Sequence, residues 1–481
     1  PQINQPTIDA VDALITQGGA IRADGGLIYL GAKAAGDQAQ TVINHSGTSQ
    51  AQTLATGKDG RIFLMGDMRN DQIDVSGTLD ASAPNGGDGG FVETSAAQLM
   101  LRDGLRVTTK AHLGKTGTWL IDPTDIEIIA GDNDDTANWS ANQIKAGTIN
   151  AALAGNNVEI KTAAADPASG AETGNITVNA GLTWGKNTLK LIAHDNIIIN
   201  AKIDATGGDG TGTGGLVLHY GQNGLGTSSY RINAPIDLAS GGSFKTQNGT
   251  DIKKEIDHTI ITKLGEVGSM TGTDLQGMNG ALGANGALGG NYVLGANIDA
   301  SATSGWNDGK GFAPVGDEIN SFTGTFDGLG HMIKNLTIKN PVDNDGNGLD
   351  TGLFGSAEGA TFRNIGLTNV NISGSGYVTG GLLGYGDGIT IENAYVTGKV
   401  TGTATATGGL VGEIENALIN NSYVLGDVSG KNTVGGLAGS FSSSTITNAY
   451  ATGAVSGIDY IGGLVGFSTM SNIAKVYATG A

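Results

Sequence analysis

The chain has 481 residues, of which 83 are glycine and none is cysteine, and its formal net charge is −19. Glycine at about 17%, against a usual ~7%, does not match an ordinary globular enzyme. The 38% of apolar residues argues against disorder. The acidic balance argues against a nucleic-acid partner, whose backbone calls for Lys and Arg, and it favours solubility, cations or a neutral partner such as a glycan.

Residues 1–125 show a loose repeat. The runs Leu27 to Leu30 and Arg61 to Met65 each follow glycine and are predicted strands. Ile73 to Ser82, a glycine turn, then Phe91 to Ser95 form a unit that is echoed at Ile203 to Thr206 and Leu216 to Tyr220. Alternation within these runs predicts one face inward and the other outward. From 126 to 245 the strands continue, interrupted near 140–154 by a helix-like patch. There Ser140 is placed to cap, Ile144, Ile149 and Leu153 to share a face, and Gly155 to stop the helix. Residues 246–290, rich in glycine and alanine towards their end, are read as an irregular connection with one short helix near 273–278.

Residues 291–481 carry a strict repeat. The box Gly-Leu-x-Gly starts at Gly352, Gly381, Gly409, Gly436 and Gly463, in steps of 29, 28, 27 and 27. A second box places Tyr395, Tyr423, Tyr450 and Tyr477 at matching steps. A period of this length marks a solenoid, a propeller or an array, and ~27 residues is short for a propeller blade. Each unit holds short runs of Val, Ile, Thr and Tyr cut by Gly, Ser and Asn, with no helical pattern. The fold class is therefore all-β, a right-handed parallel β-helix with short helical or loop insertions. Glycine is expected at the corners, where the chain must bend.

Two resemblances rest on these motifs. The passage from Val75 to Ser95, followed by Gly117 to Pro123, resembles the filamentous-haemagglutinin-like exoproteins of Gram-negative two-partner secretion. The passage from Asn291 to Ile338 resembles the lead-in to the Gly-Leu-x-Gly repeats, often called GLUG motifs, of bacterial surface proteins. These likenesses imply a secreted adhesin at the cell surface of a Gram-negative bacterium, exported by an outer-membrane partner transporter. They further imply attachment to a glycan, an exopolysaccharide or a host surface receptor. The chain is expected to be a monomeric rod without membrane insertion, and a segment of a longer protein.

The candidate site residues are few. Small or aliphatic neighbours flank each repeat tyrosine, so alternation sends Tyr395, Tyr423, Tyr450 and Tyr477 outward as a column. Stacked aromatics there would either hold sugar rings or form a purely structural ladder. Asn393, Asn421 and Asn448, two residues earlier, are read as turn formers whose side chains bond along the stack. Asp343, Asp345 and Asn347 space oxygen ligands as a calcium loop begins, but its twelfth position is Phe354 rather than glutamate. Calcium is thus a possible cofactor, with a solvated turn as the alternative. The six histidines are scattered without metal spacing. The outward positions of the repeats are read as Thr, Ser, Asn and Tyr, a poor set for acid–base chemistry. The chain is accordingly expected not to be an enzyme. A purely structural stalk and a polysaccharide-degrading β-helix enzyme remain as the alternative functions.

Overall fold

The computed structural model describes residues 13–34, 41–54, 59–132, 140–163, 173–280, 287–342, 348–403 and 405–480. Almost all regular structure is short parallel strands, each paired with the equivalent strand of the neighbouring coil. The parallel β-helix expected from the repeat is the fold. Contacts divide the chain into two units, one running to Asp257 and one starting at His258.

In the first unit a coil is three strands separated by turns. The third face shows why these residues stack. Ile28, Ile62, Val92, Trp119, Val158, Leu189, Leu216 and Phe244 pair in register from coil to coil. All eight are buried. Because side chains alternate between faces, a bulky apolar residue at one strand position demands another directly above it. Each fully buried Val, Leu, Ile or Phe contributes about 1.5–3 kcal/mol relative to exposure. Polar residues fit the interior only with partners. His45, fully buried, has its Nδ1 2.9 Å from the Ser76 carbonyl and its Nε2 3.0 Å from Ser49 Oγ.

The helix is shorter than the sequence pattern suggests. Gln143–Lys145 is a strand, paired in parallel with Ile126–Ile129, and the helix spans Ala146–Leu153. Ser140 does not cap it, and Ile144 is buried in the strand rather than on a helix face. Ile149 and Leu153 do share the buried face. The helix takes the place of one strand on the second face. That face runs through Thr78–Asp80 to Arg106–Thr108 and resumes at Leu182–Thr183, and the helix packs against both of the last two. Buried Asn156 closes the helix end. Its Nδ2 donates to the Ala152 carbonyl at 2.6 Å, and its Oδ1 accepts from the Thr109 N–H at 2.5 Å.

The second unit begins within the stretch read as an irregular connection. There the strand Ile256–Ile261 pairs in register with Asn291–Leu294. The short helix of this stretch is a 3-10 turn at Gln276–Asn279. An aromatic knot opens the core, with Phe354 4.7 Å from Phe362 and 4.9 Å from Phe322 between ring centres. The repeats follow. One coil is Val378–Thr379, Leu383–Asp387, Thr390–Glu392 and Tyr395–Gly402. The box leucines Leu353, Leu382, Leu410 and Leu437 are buried in the core cluster of this unit.

Glycine does bend the chain at turns such as Gly77, Gly359 and Gly388, but the box glycines act by size and not by corner geometry. A Cβ on Gly412 would sit 2.7 Å from the Thr379 nitrogen and 2.8 Å from the Gly384 oxygen, both backbone atoms that have no room to yield. One column of left-handed turns in the repeats is held by asparagine, at Asn364, Asn393, Asn421 and Asn448 with φ of 49–53°, while Gly359 and Gly388 hold another at φ 62° and 64°. Asparagine enters this region at less cost than other non-glycine residues. Its side chain also adds a bond that glycine lacks.

Candidate functional site

The repeat tyrosines form one column. Ala394, Val396, Ser422, Val424, Ala449 and Ala451 beside them are buried, and the tyrosines point out of the coil. Consecutive ring centres are 5.1, 4.8 and 4.9 Å apart from Tyr395 to Tyr477, with planes within 6° of parallel. At one end the Tyr395 ring lies over Gly366, where an added Cβ would fall 2.3 Å from the ring. Register pairs Gly366 with Tyr395, so the column starts on a residue without a side chain. Burial pushes the Tyr395 and Tyr423 hydroxyls up from the usual phenol value. The inner ring faces are occupied by one another, so the column presents hydroxyls and ring edges along its length. A sugar ring lying flat on tyrosine requires a free face, which the inner rings do not offer.

The asparagines form the ladders expected of them. Asn393 Nδ2 donates to Asn364 Oδ1 at 3.0 Å, and Asn421 Nδ2 donates to Asn393 Oδ1 at 2.5 Å. Asn448 departs from the column and donates to Asn420 Oδ1 at 2.9 Å. The first amide, Asn364, donates to the buried carboxylate of Asp327 at 2.9 Å. Other ladders begin the same way. Asn369 donates to Asn335 and Asn335 to Asp299. In the first unit Asn233 donates to Asn200, Asn200 to Asn179, and Asn179 to Glu127.

Asp343, Asp345 and Asn347, the candidate calcium ligands, lie outside the described residues. Among the described residues no three His, Cys, Asp or Glu side chains converge as a metal site, and no helix is long and apolar enough to cross a membrane.

A feature absent from the sequence reading lies on another face of the same repeats. The strands Phe354–Glu358, Leu383–Asp387 and Val411–Glu415 pair in register, so Glu358 stands opposite Asp387 and Asp387 opposite Glu415. Tyr385 likewise stands opposite Glu413. Acids therefore stack in register along part of this face, against the expectation of Thr, Ser, Asn and Tyr, which Ser356, Tyr385, Ser440, Ser442 and Thr469 of the same face do meet. Like charges directly opposite each other in a sheet are destabilising. Asp387 receives an amide bond from Asn416 at 2.8 Å, but these carboxylates have no cationic partner among the described residues.

Beside this column is a cleft of about 530 Å³, lined by Glu318, Asp350, Glu358, Asp387 and Glu413 with Tyr377 and Tyr385 at its walls. Asp350 is 5% exposed, and its Oδ1 has no hydrogen-bond partner. Burial, with the negative charges of Glu318 and Glu413 added, pushes its carboxyl up to about 7, although a hydrogen bond from the Val378 backbone pulls the other way. Burial and Glu415 raise Glu413 as well. The sequence did hold a signal. Aligned on the box, the third residue after it is Glu358, Asp387 and Glu415 in three successive units.

Comparison with known proteins is consistent with the repeat reading and limited in reach. The GLUG motif family matches residues 375–401. Halomucin of Haloquadratum walsbyi is 43% identical over 111 residues, which is 22% of this chain and 1% of halomucin. The crystal structure of a Bacteroides ovatus protein described provisionally as an immunoglobulin A1 protease aligns with a TM-score of 0.36 and 25% identity. That alignment covers 47% of this chain and 66% of the other.

Proposed function

We propose that this chain is a non-catalytic segment of a secreted bacterial surface adhesin. Its stacked coils would present a repeating side-chain face to a glycan, an exopolysaccharide or a host surface. The observation that carries this reading is the in-register tyrosine column on GLUG-type coils, a surface of identical groups at about 4.8–5.1 Å. The GLUG motif and the likeness to halomucin support a surface or secreted setting. Export through an outer-membrane partner transporter of a Gram-negative cell is part of this proposal, and it rests on the resemblance of residues 75–123 to two-partner-secretion exoproteins. A second reading, the purely structural stalk, is favoured by the closure of the inner tyrosine faces against one another.

The test is a screen of the segment against glycans, exopolysaccharides and whole cells, with and without calcium, beside the Tyr423→Ala/Tyr450→Ala double variant. Binding lost in a folded double variant assigns adhesion to the column. Binding that survives it and requires calcium assigns adhesion to the loop at 343–347. A well-folded segment that binds nothing supports the stalk.

A further inference from the structure

Five carboxylates line one cleft of the second unit, and no Lys, Arg or His is among its lining residues. Three more observations bear on what the cleft takes. Glu358, Asp387 and Glu415 are stacked by strand register, a geometry that the fold imposes and that repulsion opposes. The nearly buried Asp350 has an oxygen without a hydrogen-bond partner, in a place where an unmet acceptor is costly. Tyr377 and Tyr385 place aromatic rings at the walls, the groups that attract a desolvated cation. A bare metal ion does not fit, because no three carboxylates among the described residues converge on one point. At about 530 Å³ the space instead suits an organic group.

We propose that this cleft is a binding site for an organic ammonium group, with Asp350 as the buried acceptor and Glu413 and Asp387 as the flanking charges. A primary ammonium carries three donors and no acceptor, which complements a cleft lined by five carboxylates. Lysine side chains of a peptide and free polyamines share this chemistry. The site stands apart from the tyrosine column and does not depend on the adhesin reading.

The proton on Asp350 gives the proposal a distinctive mark. The titratable groups facing Asp350 across the cleft are Glu318, Glu358, Asp387, Glu413, Tyr377 and Tyr385, none of them cationic. Near pH 6 Asp350 holds its proton, and an ammonium that binds must displace it. One proton released from a group with a value of about 7 makes binding about tenfold tighter at pH 8 than at pH 6. Lysine amines stay charged throughout that range.

The experiment is calorimetric titration of the whole chain with tri-lysine and with spermidine at pH 6 and pH 8, in about 0.15 M salt to screen diffuse attraction. Fully acetylated tri-lysine is the neutral control. The expected result is binding of at least one amine, about tenfold tighter at pH 8, and no binding of the acetylated peptide. Asp350→Asn is expected to weaken binding at pH 8 about tenfold and to abolish the pH dependence. Glu413→Gln is expected to weaken binding severalfold with the fold, checked by circular dichroism, unchanged. Asp209→Asn removes an exposed acid of the first unit and should change nothing. The stronger binder of the two amines names the source of the ligand. Absence of amine binding, equal binding of acetylated tri-lysine, or an equal loss in Asp209→Asn overturns the proposal. So does a folded Asp350→Asn variant that keeps both affinity and pH dependence.

Discussion

The two units follow one plan and balance charge differently. In the first, acids stand near bases. Arg102 grips Asp74 at 2.6 Å, Lys161 reaches Asp122 at 2.9 Å, Lys202 reaches Asp237 at 2.6 Å, and Lys245 lies 3.0 Å from both Glu255 and Asp257. In the second, Arg363 meets the buried Asp327 at 2.9 Å, while the sheet face of Glu358, Asp387 and Glu415 is stacked without a cation. Turns differ as well. Glycine predominates at left-handed turns in the first unit, as at Gly77 with φ 72°, whereas in the repeats asparagine carries more of them, beside glycines such as Gly359 and Gly388. A looser repeat changes residue from coil to coil, so neighbours can be complementary. A strict repeat sets like upon like, which suits groups that bond to their own kind, such as amides and aromatic rings. It penalises groups that repel their own kind. Where a strict repeat keeps acids in register, stability alone does not account for them.

The largest expected effect tests whether the strict repeat is as well packed as the loose one. Leu410→Ala empties a fully buried box position and should cost about 2–5 kcal/mol, with Trp119→Ala in the first unit costing about 3–5 kcal/mol. Denaturant titration measures both. Hydrogen exchange should show the loss of protection concentrated in the coils next to each substitution, as nearest-neighbour arrays require. A loss below about 1 kcal/mol for Leu410→Ala would mean that the box leucines are not the core of their unit.

Next comes the contrast in pH response. Asp350 is raised to about 7 in the folded chain, so it contributes stability below its unfolded value near 3.8, and that contribution is lost as pH rises through about 7. Glu255 behaves in the opposite sense. Burial pushes it up, but the hydrogen bonds from Lys245 and His219 outweigh burial and leave it lowered. Its contribution is present above the unfolded value and is lost as pH falls through the folded one. Melting curves from pH 4 to 8 should therefore show Asp350→Asn stabilising the second unit at pH 8, by a few kcal/mol at most, with little effect at pH 4. Glu255→Gln should destabilise the first unit at pH 8. A flat response in both would remove the electrostatic difference between the units.

Two smaller effects exchange the turn and box chemistry. Gly412→Ala should cost about 1–3 kcal/mol through overpacking against backbone. Gly77→Asn should fail similarly, since a Cβ there falls 2.1 Å from the Gly47 oxygen, although asparagine tolerates the turn itself. Asn393→Ala loses both the ladder bond and an easy left-handed turn, for about 1–2 kcal/mol. Asn393→Gly restores the turn alone and should cost less. Equal costs for the two Asn393 variants, measured by denaturant midpoint, would mean that the turn contributes nothing and the amide bond everything.

The fold was legible because the same residue recurs at the same step. Leu353, Leu382, Leu410 and Leu437 announce a core position, and the tyrosine and asparagine columns announce themselves in the same way. The helix boundary was less legible. Ile144 fits a helical face by spacing, yet its strand neighbours Gln143 and Lys145 find partners at Glu127 and Ile129, and pairing overrides local pattern. The acidic cleft was largely hidden. Glu358, Asp387 and Glu415 alternate between two residue types, and Glu318 and Asp350 lie outside the repeated boxes, so no single letter recurs. The closure of the tyrosine faces was hidden for a different reason, since periodicity places rings in a column without fixing their tilt.

The amide ladders have a direction. Asn421 gives its hydrogen to Asn393, Asn393 to Asn364, and Asn364 to Asp327, always towards the coil that precedes it in the chain. The ladders that begin at Asp299 and Glu127 run the same way. Each finished coil thus shows the next an open oxygen, and the series starts from a carboxylate, which has acceptors to give and no donor to satisfy. A template of this kind is read from the amino end. Within these ladders, every later coil finds its acceptor already in place.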